Sequence, residues 1–405
     1  MVTKHENAIM SLYRQMRRRT RVIIGSVLII LVIYLTGILV HPFELDFDTR
    51  FSYEIDRKDF PELISRITDG EDLDAAEHEP ISPINSYDFR YLIANSDKCR
   101  PTANERYSVE PNPSNDVGNE ILMENSPRIM IIIKSSLSHF KNRDVIRKTW
   151  GFEQRFSDVM IRRVFVVGSC ESISLNGNVA PESMPTPASC QDAIDEENRQ
   201  NQDIVQADFI DSYYNNTIKT MVGLKWLVNH CNSSQFALFV DDDYYVSIKN
   251  LLKFLKNPLF EGKVPVTDTR DPSNLPFDGR MYAGFVFQSS YPMRHPHSKW
   301  YVSLKDYPFD RYPPYVTAGA YVLSNRAFRE LATASLYVKH FKFDDIYMGL
   351  LAKKIELKPL HVPDFNFWVT SYDPVAFEPV IAAHGFGDPD WLLKVWQEQK
   401  TRNHA

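Results

Sequence analysis

The sequence predicts an α/β fold in which helices cover a mostly parallel sheet. Three continuous apolar runs, Ile129–Ile133, Val164–Val167 and Phe236–Val240, are typical of strands that are buried on both faces. Helical segments separate these runs, and strands that alternate with helices indicate a sheet with helices packed against it. The segments predicted to be helical are Arg143–Trp150, Asp192–Gln206 and Thr217–Cys231. Ligands of such sheets bind beyond the carboxyl ends of the strands.

The composition is that of a globular protein. The 405 residues are enough for two average domains or one large enzyme domain. Hydrophobic residues make up 43% and charged residues 24%, values that exclude a wholly disordered or fibrous chain. The formal net charge of −6 lacks the basic excess of a nucleic-acid-binding protein, so we expect no nucleic-acid partner.

A charge-free apolar run near the N-terminus predicts a transmembrane signal anchor over residues 22–40. A helix needs about 20 apolar residues to cross a bilayer. Arginines from Arg14 to Arg21 precede the run, so the positive-inside rule predicts a cytoplasmic tail over residues 1–21 and a lumenal remainder. A cleaved signal peptide and a buried core helix are the alternatives, but signal sequences have shorter apolar regions of about 7–15 residues.

Residues 41–127 differ in character from the residues that follow. They contain a cluster of acidic residues between Glu71 and Glu79, and prolines interrupt any long helix. We interpret them as a lumenal stem that carries a catalytic domain, residues 128–405, away from the bilayer. Aromatic residues such as Tyr87 and Phe89 leave a folded acidic subdomain open as the alternative.

The cysteines and the glycosylation sequons are consistent with a lumenal chain. Four cysteines allow two disulfides in three possible pairings, and the sequence does not choose among them. No C-x-x-C pair is present, so a cysteine zinc site is not expected. N-glycosylation sequons begin at Asn215 and Asn232. The cysteines, all of which follow the apolar run, are Cys99, Cys170, Cys190 and Cys231.

An acidic triplet, Asp241, Asp242 and Asp243, directly follows the third apolar run. Adjacent carboxylates repel one another unless a cation neutralises them. In an extended chain Asp241 and Asp243 can face one ligand, while Asp242 turns toward a neighbouring group. Carboxylate oxygens suit Mg²⁺ or Mn²⁺, which keep open positions for diphosphate oxygens. A surface turn without a metal is the alternative.

Several segments, in order, resemble the UDP-sugar-dependent β-1,3-glycosyltransferases of glycosyltransferase family 31, the β-1,3-galactosyl- and N-acetylglucosaminyltransferase group. The resemblance covers roughly residues 128–388. The matching segments are RDVIRKTW (143–150), FVVG (165–168), DFIDSYYNNTIKT (208–220), LKWLVNHC (224–231), FVDDDYYVS (239–247), KWYVS (299–303), YPPYVTAGAYVLS (312–324) and FDDIYMG (343–349).

This resemblance implies a fold, a reaction and a location. The fold would be a glycosyltransferase type A domain, a Rossmann-like α/β/α sandwich. The reaction would transfer a sugar from UDP to a hydroxyl of an acceptor glycan, on a lipid or a protein, with inversion of the anomeric centre. A divalent cation, Mn²⁺ or Mg²⁺, would stabilise the departing UDP, and a carboxylate base would deprotonate the hydroxyl. The enzyme would be a single-pass type II protein of the Golgi membrane.

The resemblance also suggests which acids carry the reaction. Asp345 in FDDIYMG is the expected base, with Asp344 as the alternative, since many relatives have Glu-Asp-Val at this point. A pair that only caps the following helix is the structural alternative. Asp243 and His384 are the expected metal ligands, and Asp241 is expected near the nucleotide.

Further residues are candidates for binding the donor. Asp242 is grouped with the nucleotide site because it belongs to the triplet, and Arg147 and Lys219 are candidates for the diphosphate or the uridine. Ordinary helix charges are the alternative for both cations. The chain has Ala318 and Ala320 where relatives often have glycine, which would narrow the sugar pocket.

The identity of the donor sugar depends on weak signals. The segments KWYVS and YPPY favour galactose, whereas transfer of N-acetylglucosamine or N-acetylgalactosamine stays open. A carbohydrate-binding module of the same fold without turnover is the alternative from another functional class. The presence of both carboxylate sites and of His384 favours the enzyme.

Overall fold

The structure of the chain, a computed structural model, describes residues 2–36, 40–52, 57–71, 81–100, 128–156, 159–171, 186–256 and 279–405. The chain forms two compact units. The smaller unit comprises Met1–Ser52 and Ser289–Tyr312, and the larger comprises Tyr53–Gln288 and Pro313–Ala405.

The smaller unit contains the helices α1 (Val2–Thr36) and α2 (Phe47–Arg50). Among the helices that the structure describes, none combines the length and the apolar character that spanning a membrane requires. Residues 37–39 of the predicted anchor lie outside the described residues, and the anchor stays a prediction. The buried guanidinium of Arg294 bonds to Glu44 at 2.6 Å and to the carbonyl oxygens of Val302 and Phe309. These bonds satisfy a charge that would otherwise be costly to bury.

The larger unit carries the remaining helices and all the named strands of the described residues. The helices are α3 (Phe60–Asp69), α4 (Phe140–Lys148), α5 (Pro187–Asn201), α6 (Asn216–His230), α7 (Ile248–Lys256), α8 (Asn325–Ala334), α9 (Asp344–Lys354) and α10 (Pro389–Thr401). The strands are β1 (Tyr91–Ile93), β2 (Ile129–Lys134), β3 (Ile161–Ser169), β4 (Ile204–Ile210), β5 (Phe236–Asp241), β6 (Tyr244–Val246), β7 (Tyr282–Phe287), β8 (Tyr315–Ser324), β9 (Leu360–His361), β10 (Phe365–Asn366) and β11 (Ala382–His384).

An eight-stranded sheet forms the centre of this unit, in the order β1-β4-β3-β2-β5-β8-β7-β9. The four strands from β4 to β5 are parallel, as predicted, and helices α4, α5 and α6 connect them in the chain order β2, β3, β4, β5. β8 is antiparallel to both β5 and β7, and β1 is antiparallel to β4, so the sheet as a whole is mixed. A second sheet has the order β10-β11-β6. The fold is therefore mixed α/β around a large central sheet.

The predicted apolar runs occupy the middle of the core. Every residue of β2 and β3 is buried, which explains why the apolar runs within them are continuous and do not alternate with polar residues. Helix α6 lies close against the sheet at Gly223, where an added Cβ would come within 2.7 Å of Ile132. The helix therefore requires glycine at this point of contact.

The predicted helix over Asp192–Gln206 is wrong at both ends. The helix begins at Pro187, after the hydroxyl of Thr186 accepts a hydrogen bond from the amide of Ser189, and ends at Asn201. Gln202 then takes a left-handed conformation with φ of 50°, and strand β4 begins at Ile204. Helical spacing alone did not separate the helix from the strand that follows it directly.

Part of the predicted stem belongs to the larger unit. Helix α3 buries Phe60, Leu63 and Ile64, and the hydroxyl of Thr68 bonds to that of Thr333 in α8 at 2.9 Å. Strand β1 extends the central sheet. These two segments are folded as part of the larger unit, while residues 53–56, 72–80 and 101–127 of the predicted stem lie outside the described residues; the stem and the domain boundary stay predictions.

The cysteines form two disulfides, Cys99–Cys231 and Cys170–Cys190. The Cα atoms are 5.4 Å and 5.9 Å apart respectively, within the usual range for a disulfide. The structure therefore selects one of the three pairings that the sequence left open. The first bridge ties residues next to β1 to the end of α6.

Candidate active site

The acidic triplet lies at the carboxyl end of β5, where the central parallel strands end together. In the parallel register of β2 and β5, Lys134 is paired with Asp241. The Lys134 ammonium lies 3.0 Å from a carboxylate oxygen of Asp241 and 2.9 Å from one of Asp344. A single buried cation therefore joins the triplet to the second acidic pair, which opens helix α9.

Lys134 is a site residue that the sequence analysis missed. Its side chain is only 4% exposed, and it also donates to the carbonyl oxygen of Ala318. Burial lowers the pKa of Lys134, but the charges of Asp241 and Asp344 outweigh burial and raise it, so the ammonium stays charged. The available signal was a lysine that ends an apolar run, at the edge of the sheet where ligands bind.

Asp344 and Asp345 have opposite pKa shifts. Burial favours the neutral form of Asp344, but the charge and hydrogen bond of Lys134, with a bond from Thr220 at 2.8 Å, outweigh burial and lower its pKa. Burial, followed by the charge of Asp344, raises the pKa of Asp345 to about 7. The amide of Ile346 donates to Asp345 at 2.8 Å. A carboxylate with a pKa near neutrality can accept a proton at physiological pH.

Asp241 is also perturbed. Although Asp241 keeps 36% of its side chain exposed, partial burial raises its pKa to about 7; Lys134 opposes this shift, while the nearby charges of Asp243 and Asp344 add to it. The site thus brings several carboxylates close together around one ammonium. Such an excess of negative charge is relieved when a further cation binds.

Asp242 turns toward neighbouring groups, as predicted, although the chain forms a turn at Asp242 and Asp243 and is not extended there. One oxygen of Asp242 accepts a hydrogen bond from the hydroxyl of Ser135 at 2.6 Å and lies 2.9 Å from Nδ1 of His139. The buried guanidinium of Arg143 donates to the same hydroxyl at 3.0 Å and pairs with Glu197 at 2.8 Å. These contacts hold the middle carboxylate in place. Its assignment to the nucleotide site stays a prediction.

Asp243 and His384 meet on the smaller sheet. In the antiparallel register of β11 and β6, His384 is opposite Tyr244, and its Nε2 lies 3.2 Å from an oxygen of Asp243. The hydrogen bond with Asp243 raises the pKa of His384. The ring of Tyr244 stacks on the imidazole with centroids 5.1 Å apart. A Cβ at Gly319 would overlap the Tyr244 hydroxyl, so strand β8 must carry glycine here.

Asp243 and His384 fit a divalent cation as two of its ligands. One carboxylate oxygen of Asp243 is buried and has no hydrogen-bond partner among the described residues, an arrangement that a hard cation would satisfy. Within the same part of the chain, no group of three or more His, Cys, Asp or Glu side chains is arranged to hold a metal. Substrate oxygens and water would therefore have to complete the coordination.

The two cations predicted to bind the donor are engaged elsewhere. Arg147 pairs with Glu197 and Asp203, each at 2.7 Å, in a buried network between α4, α5 and β4. Lys219 pairs with Asp211 at 2.7 Å and donates to the carbonyl oxygen of Ser135. Contact of either side chain with the nucleotide stays a prediction, and these ion pairs do not favour it.

The two sequons differ in exposure. Asn232 is exposed in the turn that follows α6. Asn215 is half-buried, and its side-chain amide donates to the carbonyl oxygen of Ile210 at 2.8 Å. Glycosylation of either residue stays a prediction, and exposure favours Asn232.

Comparison with known proteins identifies relatives of this chain. A family model described as Galactosyltransferase matches residues 141–363. The β-1,3-galactosyltransferase brn of Drosophila melanogaster is 45% identical over 287 residues, which cover 71% of this chain and 78% of that protein. The β-1,3-galactosyltransferase 2 of Mus musculus is 29% identical over 323 residues, covering 79% of this chain and 64% of that protein.

A solved structure was also matched, that of a glycosyltransferase involved in the glycosylation of the major capsid of PBCV-1. It is 10% identical, with a TM-score of 0.32, and the match covers 66% of this chain and 98% of that one. We draw no conclusion from a likeness of this size.

Proposed function

The chain belongs to the galactosyltransferase family and is a hexosyltransferase, and on this premise we propose that it is an inverting, metal-dependent β-1,3-galactosyltransferase that uses UDP-galactose. The observation that carries the proposal is the contact of one buried ammonium, Lys134, with both Asp241 and Asp344. One-step transfer requires stabilisation of the leaving group and a base at the same sugar. The contact of Lys134 with both Asp241 and Asp344 supports a single site in which the acidic triplet and the second acidic pair lie close together.

The donor end of the site would be formed by Asp243 and His384, the residues that would hold the cation. A bound Mn²⁺ or Mg²⁺ would stabilise the negative charge of the departing UDP. Lys134 keeps Asp241, the first acid of the triplet, in position, and the stacked ring of Tyr244 orients His384. His384 belongs to a strand and Asp243 to the short turn between β5 and β6, so both are positioned before substrate binds.

The acceptor end of the site would be formed by Asp345. Its carboxylate would take the proton of the attacking hydroxyl, for which a pKa of about 7 is well suited. Asp344 would stay ionised beside Lys134 and would thereby keep the affinity of Asp345 for the proton high. The two adjacent acids therefore have different proposed roles because only Asp344 has a cation as its partner.

We also propose that the enzyme is a type II protein of the Golgi membrane with a lumenal catalytic domain, acting on glycans of lipids or proteins. The arginine-flanked apolar run over residues 22–40 supports the orientation. The two disulfides support an oxidising compartment. Protease protection of tagged full-length chain in sealed Golgi vesicles tests this topology, and cleavage of the C-terminal domain from outside would contradict it.

The activity is tested with the full-length chain in detergent and a panel of UDP-galactose, UDP-N-acetylglucosamine and UDP-N-acetylgalactosamine, with methyl β-glycosides as acceptors. We expect galactose transfer that EDTA abolishes and Mn²⁺ restores, and NMR of the product should show a β-1,3 linkage. Transfer of another sugar would correct the donor. No transfer with any donor would favour a carbohydrate-binding module.

A further inference from the structure

An exposed tryptophan follows strand β10 in the larger unit. Trp368 is 61% exposed and its neighbour Val369 is 67% exposed, although most large apolar residues of this unit are buried. The indole nevertheless packs edge-on against the rings of Phe287 and Phe367, whose centroids lie 6.1 Å and 4.9 Å from its own. We call Phe367, Trp368 and Val369 the aromatic platform. A supported ring with a large exposed area is suited to binding a flat apolar surface.

The platform adjoins the candidate metal ligand. Val369 lies against Gly385, where an added Cβ would come within 3.0 Å of its side chain. Gly385 has φ of 102°, a conformation that favours glycine and brings the chain close to Val369. The platform is therefore packed directly against the strand end that carries His384.

The platform is also connected to the helix that carries the proposed base. Phe287, which supports Trp368, lies with its ring centroid 5.7 Å from that of Tyr315. Tyr315 in turn packs on Gly349 of α9, where an added Cβ would come within 2.5 Å of the Tyr315 Cβ. Helix α9 begins at Asp344 and contains Asp345. The platform is therefore linked to α9 through Phe287 and Tyr315, and it packs directly against the chain beside His384.

We propose that Trp368 stacks on the apolar face of the acceptor sugar and forms an acceptor subsite, an inference that rests on the proposed function. One face of a pyranose ring is largely C–H, and it loses contact with water when an aromatic ring covers it. An acceptor sugar attached to a lipid or a protein needs an open surface rather than an enclosed pocket. The exposed position of Trp368 meets that requirement, and the nucleobase of the donor is the competing occupant.

The test compares Trp368→Ala and Trp368→Tyr with the parent chain, all full-length. In Trp368→Ala the KM for the methyl β-glycoside acceptor should rise about tenfold, while the Mn²⁺-dependent affinity for UDP stays that of the parent. Trp368→Tyr keeps a flat ring and should stay within about threefold of the parent KM. Phe152→Ala, which removes a 48% exposed aromatic in the turn after α4, is the matched control and should not change KM.

Two results would overturn the subsite. An acceptor KM in Trp368→Ala within twofold of the parent would show that the ring does not bind the acceptor. A loss of UDP affinity by the same factor as the rise in KM would show that Trp368 binds the nucleobase of the donor or has only a structural role.

Failure of the proposed function can be distinguished from failure of the acceptor subsite. If the parent chain transfers no sugar from any donor, saturation-transfer NMR with the same methyl β-glycosides compares binding to the parent and to Trp368→Ala. A signal that the substitution abolishes would support the platform as a sugar-binding surface. An equal signal, or none with the parent, would refute it.

Discussion

Replacing Lys134 with methionine removes the cation that joins the two acidic sites and keeps much of the side-chain volume. The lysine is 4% exposed, and its partner Asp344 is 9% exposed, whereas Asp241 is 36% exposed and can be hydrated. The cost of the substitution should therefore come chiefly from Asp344. Breaking a buried ion pair costs about 3–5 kcal/mol, because the remaining charge has lost its partner.

The free energy lost should depend on pH in a definite direction. In the parent, Lys134 holds the pKa of Asp344 below its ordinary value, so the pair stabilises the fold above the unfolded-state pKa of about 3.9 and less below it. Without the lysine, burial dominates and the pKa of Asp344 should rise above the unfolded value. The variant is then destabilised progressively as pH rises from about 4 toward neutrality.

Thermal unfolding of the full-length chain, followed by tryptophan fluorescence at pH 5 and pH 7.5, measures this effect. The gap in Tm between parent and Lys134→Met should be several degrees and larger at pH 7.5. Lys148→Met is the matched control, because Lys148 also pairs with an aspartate but is 65% exposed. Its effect should be no more than about 0.5 kcal/mol.

The double variant Lys134→Met with Asp344→Asn should recover much of the lost stability, because a buried amide does not require a cation. A single variant as stable as the parent at pH 7.5 would refute the reasoning. So would a gap that narrows as pH rises, or a double variant that is less stable than the single one.

Four further outcomes test the site. Asp345→Asn should keep the Mn²⁺-dependent affinity for UDP and lower kcat by about 10²–10⁴-fold; a loss of UDP affinity in calorimetry would show that its role is misassigned. Because the pKa of Asp345 is raised to about 7 and the base must be ionised, kcat of the parent should increase with pH through about 7 and then level off, and a flat profile between pH 5 and 8 would count against it. Asp243→Ala should weaken the binding of UDP in Mn²⁺ but not in EDTA, and equal affinities in Mn²⁺ would remove this residue from the metal site. Gly319→Ala should displace the Tyr244 ring from His384 and weaken the same Mn²⁺-dependent binding, whereas parent-like affinity would show that the stacking has no part in it.

The sequence predicted the central strands well for a physical reason. Strands buried on both faces are apolar over most of their length, so β2, β3 and β5 contain continuous apolar runs, and their buried charged residues lie toward the strand ends. The boundary between α5 and β4 was not predicted, because it depends on the left-handed turn at Gln202 and on the pairing of Ile204 with β3. Such contacts between distant segments leave little local signal.

In the candidate site, too, local sequence signals were predictive and contacts between distant segments were not. The residue types and their resemblance to a family were enough to single out Asp243, Asp345 and His384. Arg147 was expected at the nucleotide because an arginine fork suits phosphate, but its buried partners come from α5 and from the residue before β4 and are not apparent from its own segment. Lys134 was missed because nothing near it in the sequence is acidic.

By itself, the sequence determined the α/β class, the family and the acidic segments, because apolar runs and short motifs are local properties of the chain. Only the tertiary structure decided which side chains contact one another in the candidate site. The parallel register of β2 and β5 places Lys134 beside Asp241, and the start of α9 places Asp344 against the same ammonium. The pKa values of the acids follow from those contacts, because burial and neighbouring charge depend on how distant segments pack.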